Sequence, residues 1–178
     1  HSLAVDDQGH VWARGYNRTG QLGNGVVTGS DLLPTVTWEQ VTILPAGTEI
    51  TAVAASNSPL MGYGFSVALD ADGTVWSWGQ NDSGQLGNGV DGAYIPAEPV
   101  TPVPLDLDVA IVQISAGDSH TMALDDTGHA WGWGLNGSGQ IGSSNTLYST
   151  VGAPPRRVES VTGLVQVSAR PLAKAFKI

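Results

Sequence analysis

Apolar and polar residues alternate over short stretches of this chain, and turn-forming residues separate the stretches. Ser66–Leu69 and Thr74–Trp78 are two such runs, rich in β-branched and aromatic residues. The Asp70–Gly73 segment between them ends in Asp-Gly, a pair that suits the positive φ angles of a tight turn. We therefore predict an antiparallel β-hairpin over these residues.

The tryptophans of these runs predict which strand face is buried. Trp76 and Trp78 lie two positions apart, and Trp131 and Trp133 repeat this spacing further along the chain. Successive side chains of a strand point to opposite faces, so each pair lies on one face. Such pairs favour a core built from sheets packed face to face.

Other short runs with β-favouring residues predict further strands, some next to prolines and some ending in alanine. These runs are Thr35–Trp38, Thr51–Ala55, Val100–Val103, Val112–Ala116 and Val165–Ala169. A hairpin together with one run of each of these two kinds gives four candidate strands for a repeating section of the chain.

The chain is built from an internal repeat. His1–Gly25, Phe65–Gly89 and His120–Ser144 align without gaps, and nine of 25 positions are identical in all three. The tryptophans and the glycines that follow them are the predicted structural framework: Trp12, Trp76, Trp78, Trp131, Trp133, Gly15, Gly79 and Gly134. Four strands per repeat predict the blades of a β-propeller, with units starting near residues 1, 65 and 120.

Ala68–Gly87 reads ALDADGTVWSWGQNDSGQLG, which resembles the repeat of the regulator of chromosome condensation family. The resemblance covers about residues 1–169 and implies an all-β, β-propeller fold with about three four-stranded blades. Residues 170–178 depart from the pattern as a divergent basic tail. Propellers of this family usually have seven blades, so three would leave the ring incomplete. Either the chain is a piece of a longer propeller, or two copies close head to tail into a six-bladed ring.

Composition excludes several classes of protein. The 178 residues include 24 glycines, 10 prolines and only 13% charged residues, which disfavours a helical bundle. A net charge of −9 makes nucleic acid a poor partner, and the lack of cysteine excludes disulfides and thiol redox chemistry. The apolar runs fall far short of the roughly 20 residues of a membrane helix, so we predict no membrane span.

Charge is uneven along the chain. Residues 1–155 contain 15 of the 16 acidic residues and only two basic ones, whereas residues 156–178 contain five basic residues. An acidic body with a basic tail favours head-to-tail contact between two copies. A disordered tail is equally compatible with this pattern.

No candidate catalytic or metal site emerges from the sequence. The Gly-Gln-Leu-Gly segments lack the lysine of a phosphate loop and are better explained as one turn built three times. The histidines fall in repeat-equivalent pairs that the middle repeat lacks, which favours structural roles over zinc. Ser119 and His120 are neighbours without a nucleophile elbow. We therefore predict no enzyme activity, no metal and no cofactor.

Variable loop positions between the repeated glycines are the predicted binding residues. They are Arg14, Tyr16, Arg18, Asp82 and Leu135, together with Tyr63 in a loop insertion. The sequence thus predicts a non-catalytic propeller module that binds another macromolecule, a protein, through its loop face. The alternative is a carbohydrate-binding module or a polysaccharide-active enzyme, because exposed Trp and Tyr stack on sugar rings and carboxylates hydrolyse them. Low charge and abundant Gly, Asn and Thr favour a bacterial protein that is secreted or at the cell surface.

Overall fold

The chain forms β-sheets throughout the part that can be described. The structure is a computed structural model, and it describes residues 1–28, 33–56, 62–89, 109–142, 155–158 and 163–169. Within these ranges there are ten strands and no helix. The predicted all-β class is confirmed.

The strands form three antiparallel sheets that follow one another along the chain. The first sheet has the order β1-β2-β3, the second β4-β5-β6 and the third β7-β8-β9-β10. The strands are β1 (Ser2–Val5), β2 (Val11–Gly15), β3 (Thr35–Gln40), β4 (Ile50–Ala55), β5 (Phe65–Asp70), β6 (Val75–Gly79), β7 (Ile111–Ala116), β8 (His120–Asp125), β9 (Ala130–Gly134) and β10 (Arg156–Arg157).

Each sheet contains the predicted hairpin. In the second sheet, β5 pairs with β6 so that Ala68 lies opposite Trp76 and Ser66 opposite Trp78. The third sheet repeats this register with Ala123 opposite Trp131, and the first with Ala4 opposite Trp12. The three repeats of the sequence therefore correspond to one structural unit built three times.

Neighbouring sheets are joined through the hairpin turns. The backbone amide that opens each following segment donates to the carbonyl of the turn glycine in the preceding repeat. The three pairs, each at 3.1 Å, are Ile50 to Gly9, Ile111 to Gly73 and Leu164 to Gly128. This regular contact gives successive sheets the same relative placement.

Two apolar clusters fill the spaces between the sheets. The cluster between the first and second sheets contains Val11, Ala13, Leu22, Val41, Ile50, Ala68 and Trp78. The cluster between the second and third sheets contains Phe65, Val67, Leu69, Val75, Leu86, Ile111, Ala123 and Trp133. Trp78 and Trp133 thus occupy equivalent buried positions, one in each cluster.

The glycine that ends each hairpin is required by close backbone approach. Gly79 has a φ of +105°, and a Cβ there would lie 2.7 Å from the carbonyl oxygen of Gly64. Gly134 has a φ of +96°, and its Cβ would lie 2.6 Å from the carbonyl oxygen of Ser119. Any side chain here would therefore combine backbone strain with a clash.

One aspartate organises the hairpin turn in every repeat. A carboxylate oxygen accepts the indole N–H of the tryptophan six residues later, at 2.8 to 2.9 Å. The other oxygen accepts the backbone amides two and four residues later, at 2.8 to 3.1 Å. The three pairs are Asp6 with Trp12, Asp70 with Trp76 and Asp125 with Trp131.

These hydrogen bonds stabilise the charged form of the carboxyl groups. The indole of Trp12, helped by the amides of His10 and Gln8, lowers the pKa of Asp6 to about 2. Burial raises the pKa of Asp125, but the hydrogen bonds from His129, Trp131 and Thr127 outweigh it and leave that pKa below its usual value. Folding therefore favours ionisation of both groups.

Val165–Ala169 was expected to form a strand, and this prediction is wrong. The backbone amides of Val167 and Ala169 donate to the side chains of Gln113 and Ser115 on β7, each at 2.8 Å. Side-chain oxygens thus replace the carbonyls of a neighbouring strand, and no backbone ladder forms. The segment still lies against β7.

The third sheet gains a strand that the sequence analysis did not predict. Strand β10 pairs with β9, and the amide of Val158 then donates to the carbonyl of Ala130 at 2.8 Å. Val41 and Val11 make the same bond at 2.8 Å after β3, so β10 occupies the position of β3. Among the described residues, four strands are complete only in this sheet; Val100–Val103 and residues 170–178 lie outside the described ranges.

Replacing Gly79 with alanine should destabilise the fold because the new Cβ meets the carbonyl of Gly64. We expect the free energy of unfolding to fall by at least about 2 kcal/mol, measured by urea denaturation. Gly137→Ala is the matched control, since no atom lies within 4 Å of a Cβ at that position. Equal stability of the two variants would contradict the packing described for Gly79.

Replacing Asp125 with asparagine should remove both stability and part of its pH dependence. The amide cannot accept the Trp131 indole and also keep both turn amides, so we expect a loss of about 2 kcal/mol at pH 7. Because folding lowers the pKa of Asp125, its contribution is present above about pH 4 and is lost as the pH falls further.

The measurement is thermal or urea unfolding between pH 2 and 7. Asp126→Asn changes the exposed neighbour and should leave the pH profile as in the unchanged protein. A profile for Asp125→Asn that stays parallel to that of the unchanged protein would refute the assignment.

Candidate functional site

The three sheets have two distinct ends. The hairpin face contains the turns at residues 6–10, 70–74 and 125–129. The loop face lies at the opposite end, where the chain leaves β2, β6 and β9 and where it enters β5 and β8. Variable residues are exposed at both ends, and the two ends differ in charge and in how their side chains are bonded.

The hairpin face is acidic, but its central carboxylates already have structural partners. Asp6, Asp70 and Asp125 bind the turn amides and an indole. An open groove at this face is lined by Glu49, Asp70, Trp76 and neighbouring residues. No cluster of three or more potential metal ligands occurs among the described residues. This end therefore offers negative charge without an organised site.

At the loop face, each contact between repeats is centred on a glutamine carbonyl. The first junction is defined by Gln21, whose carbonyl accepts Ser66 Oγ at 2.7 Å and Trp78 Nε1 at 3.0 Å. The second junction is defined by Gln85, whose carbonyl accepts Thr121 Oγ1 at 3.1 Å and Trp133 Nε1 at 2.9 Å. The two junctions therefore have the same frame.

Arg18 and Tyr63 meet at the first junction. The Arg18 guanidinium carbon lies 4.7 Å from the centre of the Tyr63 ring, a cation–π contact. Thr19 Oγ1 and the Gln21 amide hold the adjoining backbone by donating to the carbonyls of Gly64 and Gly62. Two of the predicted binding residues, 45 positions apart in sequence, are thus brought into contact.

The other predicted binding residues lie apart from this pair or show no contact with it. Arg14 is on β2 and stacks at 4.7 Å over Trp38 of β3. Arg14 holds the repeat position that Trp78 and Trp133 hold in the later repeats. Tyr16 and Leu135 are half-buried residues that follow β2 and β9. Asp82 is exposed and accepts the side-chain amides of Gln80 and Gln85 at 2.8 and 3.2 Å.

The structure adds two residues that the sequence analysis missed, Gln80 and Asp118. Gln80 is 7% exposed, and its Oε1 has no hydrogen-bond partner among the described residues. One carboxylate oxygen of Asp118 is likewise buried without a partner in those ranges, as is Nε of Arg18. Neither Gln80 nor Asp118 belongs to a repeated motif, so the sequence pattern does not mark them as functional residues.

His120 is a buried residue of the third sheet that interacts electrostatically with Asp118. Its ring packs directly on the backbone of Gly117 and is 8% exposed. Burial lowers the pKa of His120, and the negative charge of Asp118 partly opposes this effect. Burial thus favours the neutral form of His120, and no group of three or more potential metal ligands occurs in the described part of the chain.

Comparison with known proteins agrees with this architecture. The model of the regulator of chromosome condensation (RCC1) repeat matches residues 72–124, and a second model of the same description matches residues 50–85 and 111–140. Together they cover more than half of the chain. Among solved structures, Prp20p of Saccharomyces cerevisiae matches with a TM-score of 0.67 at 21% identity, covering 89% of this chain and 36% of that one.

Two proteins with similar sequences support the same family relationship. The chain is 32% identical over 168 residues to Protein RCC2 homolog of Xenopus laevis, covering 81% of this chain and 30% of the relative. It is 34% identical over 145 residues to probable E3 ubiquitin-protein ligase HERC6 of Homo sapiens, covering 81% of this chain and 13% of the relative. The chain thus spans less than a third of either relative.

The three sheets are blades of a β-propeller, as the repeat predicted. The chain belongs to the regulator of chromosome condensation repeat family. Both sequence relatives are eukaryotic, and the bacterial, secreted or cell-surface origin stays a prediction. No helix capable of spanning a membrane is found in the ranges that the structure describes.

Replacing Asp118 with asparagine should lower the pKa of His120 further. The neutral amide no longer stabilises the imidazolium, whereas the burial that disfavours the charged ring remains. An NMR titration of the histidine ring signals measures this change, with Asp126→Asn as the control. A His120 pKa that rises or stays unchanged in Asp118→Asn would show that the carboxylate does not act on the ring.

Proposed function

We propose that this chain is a non-catalytic propeller module that binds another protein through its loop face. The observation that supports it most directly is the Arg18–Tyr63 pair at the first junction. Arginine and tyrosine are among the residues that contribute most to protein interfaces. Here the adjoining backbone is held by hydrogen bonds to Thr19 and Gln21, which limits the entropy lost when a partner binds.

The family relationship supports the same proposal. The Prp20p structure is described together with the binding of that protein to Gsp1p and histones. The names of the compared relatives contain no carbohydrate activity, so the carbohydrate alternative gains no support from them. The ligase named in HERC6 belongs to a protein of which this chain matches only 13%.

The hairpin face is the less suitable binding surface. Its best-organised carboxylates stabilise the turns, and engaging them with a partner would compete with those bonds. The loop face instead presents Arg18 and Tyr63, whose cation–π contact is separate from the bonds to the Gln21 carbonyl. We therefore place the interface at the loop face rather than at the opposite end.

Replacing Arg18 and Tyr63 with alanine should strongly weaken partner binding while the protein stays folded. The immobilised protein is exposed to lysate of the source organism, and retained proteins are quantified by mass spectrometry. The matched control replaces the exposed Asp72 and Asp126 of the hairpin face with alanine. We expect a specific protein to be retained by the unchanged chain and by the control, and reduced at least about ten-fold with the double variant.

Two results would overturn the proposal. One is retention of the same proteins by the loop-face variant at unchanged yield. The other is saturable binding on a glycan array with no protein retained, which would favour the carbohydrate alternative.

A further inference from the structure

The two junctions have the same frame but differ in charge at the residues around it, which we call the rim. The amide of Gln80 donates to the carbonyl of Gly64, and that of Leu135 donates to the carbonyl of Ser119, both at 2.8 Å. Gly79 and Gly134 approach these same carbonyls and the backbones of Gln21 and Gln85. Residues at equivalent repeat positions therefore occupy equivalent places around each junction.

This equivalence assigns Asp82 and Asp118 to the two sides of the second junction. Asp82 stands at the repeat position of Arg18, and Asp118 stands one residue before Ser119, as Tyr63 stands before Gly64. Since Arg18 lies over Tyr63 at the first junction, Asp82 and Asp118 stand at the corresponding repeat positions of the second. A cation and an aromatic ring are thus replaced by two carboxylates.

Gln80 provides a second, independent indication of a binding site. Its Nε2 donates to Asp82 Oδ2 at 2.8 Å, so the amide group lies against that carboxylate. Its Oε1 is buried without a donor, and so is one oxygen of Asp118, among the described residues. Buried acceptors without donors are costly, and a group that supplies several N–H donors would satisfy them.

We propose that the Asp82–Asp118 cluster, formed by Gln80, Asp82 and Asp118, binds an arginine side chain of a protein partner. This inference deepens the proposed function, because it names the chemistry that the loop face recognises. A guanidinium carries five N–H donors in one plane and can reach two carboxylates and an amide oxygen together. At the first junction the Arg18 guanidinium lies beside the equivalent frame, so a group of this size fits there.

A divalent metal fits the cluster less well than a guanidinium. Calcium takes six to eight oxygen ligands, and magnesium demands a near-ideal octahedron. The cluster offers two carboxylates and one amide oxygen, and no group of three or more metal-binding side chains occurs in the described ranges. Asp82 is exposed and Asp118 is half-buried, so the cluster is open to a side chain arriving at the loop face.

The test is an NMR titration of the chain with Nα-acetyl-arginine methylamide. We expect saturable shifts of the backbone amide signals of Gln80, Ser83 and Ser119. The citrulline analogue has nearly the same shape without the charge and should give no saturable shift. Asp82→Asn and Asp118→Asn should each raise the dissociation constant at least about ten-fold.

Two further variants separate binding from folding. Asp72→Asn removes an exposed carboxylate of the hairpin face and should bind the probe like the unchanged chain. The double change of Asp82→Arg with Asp118→Tyr introduces the pair found at the first junction, so it should keep the fold and abolish binding. Retained dispersion of the NMR spectrum verifies that this variant is folded.

Absence of saturable shifts with the arginine probe overturns the inference, as do equal shifts with citrulline or shifts that survive the double change. Shifts of the same signals by calcium chloride at lower concentration than by the probe would identify a metal site instead. If the probe fails while the Arg18 and Tyr63 variant still loses its partner, only this inference falls. If the probe binds while that variant keeps its partner, the inference stands and the placement of the interface at Arg18 and Tyr63 falls.

Discussion

One backbone carbonyl lies at the centre of each junction between neighbouring repeats. The Gln21 carbonyl receives a hydroxyl and an indole N–H from the next repeat, and the Gln85 carbonyl receives the same two kinds of donor. Two donors satisfy both lone pairs of an oxygen that packing removes from water. The repeat before therefore fixes the second tryptophan and the Ser or Thr of each later repeat. The glycine that ends the hairpin must lack a side chain, because the backbones approach each other closely there.

The two tryptophans of a repeat lie on one face of the strand but make different hydrogen bonds. Trp76 and Trp131 are half-buried and bind the aspartate of their own hairpin turn. Trp78 and Trp133 are fully buried and bind the repeat before them. One tryptophan thus stabilises a blade and the other joins blades. In the first repeat Trp12 keeps the bond to its own turn aspartate, and Arg14 stands at the position of the second tryptophan.

Periodicity and repetition were enough to predict the hairpins, the framework glycines and the propeller class, because these follow from local φ requirements and strand alternation. The incorrect strand predictions concern segments whose structure depends on contacts with residues far away in the sequence. Val165–Ala169 has a strand pattern, but the side chains of Gln113 and Ser115 take its amides. Arg156 and Arg157 have no strand pattern, yet they pair with β9. Likewise, Arg18 and Tyr63 were predicted separately, and only the junction brings them together.

The same division between frame and rim explains how repeats of one fold can differ in chemistry. The bonds that both junctions share end on the backbone carbonyls of Gln21 and Gln85 and of Gly64 and Ser119, so side chains beside these residues can change without loss of these bonds. The rim positions do change: Arg18, Asp82 and Gly137 are equivalent in the repeat. One junction consequently presents its own cation, and the next presents carboxylates and an unpaired amide oxygen. Recognition can therefore differ at each junction while the stability of the propeller depends on a constant set of contacts.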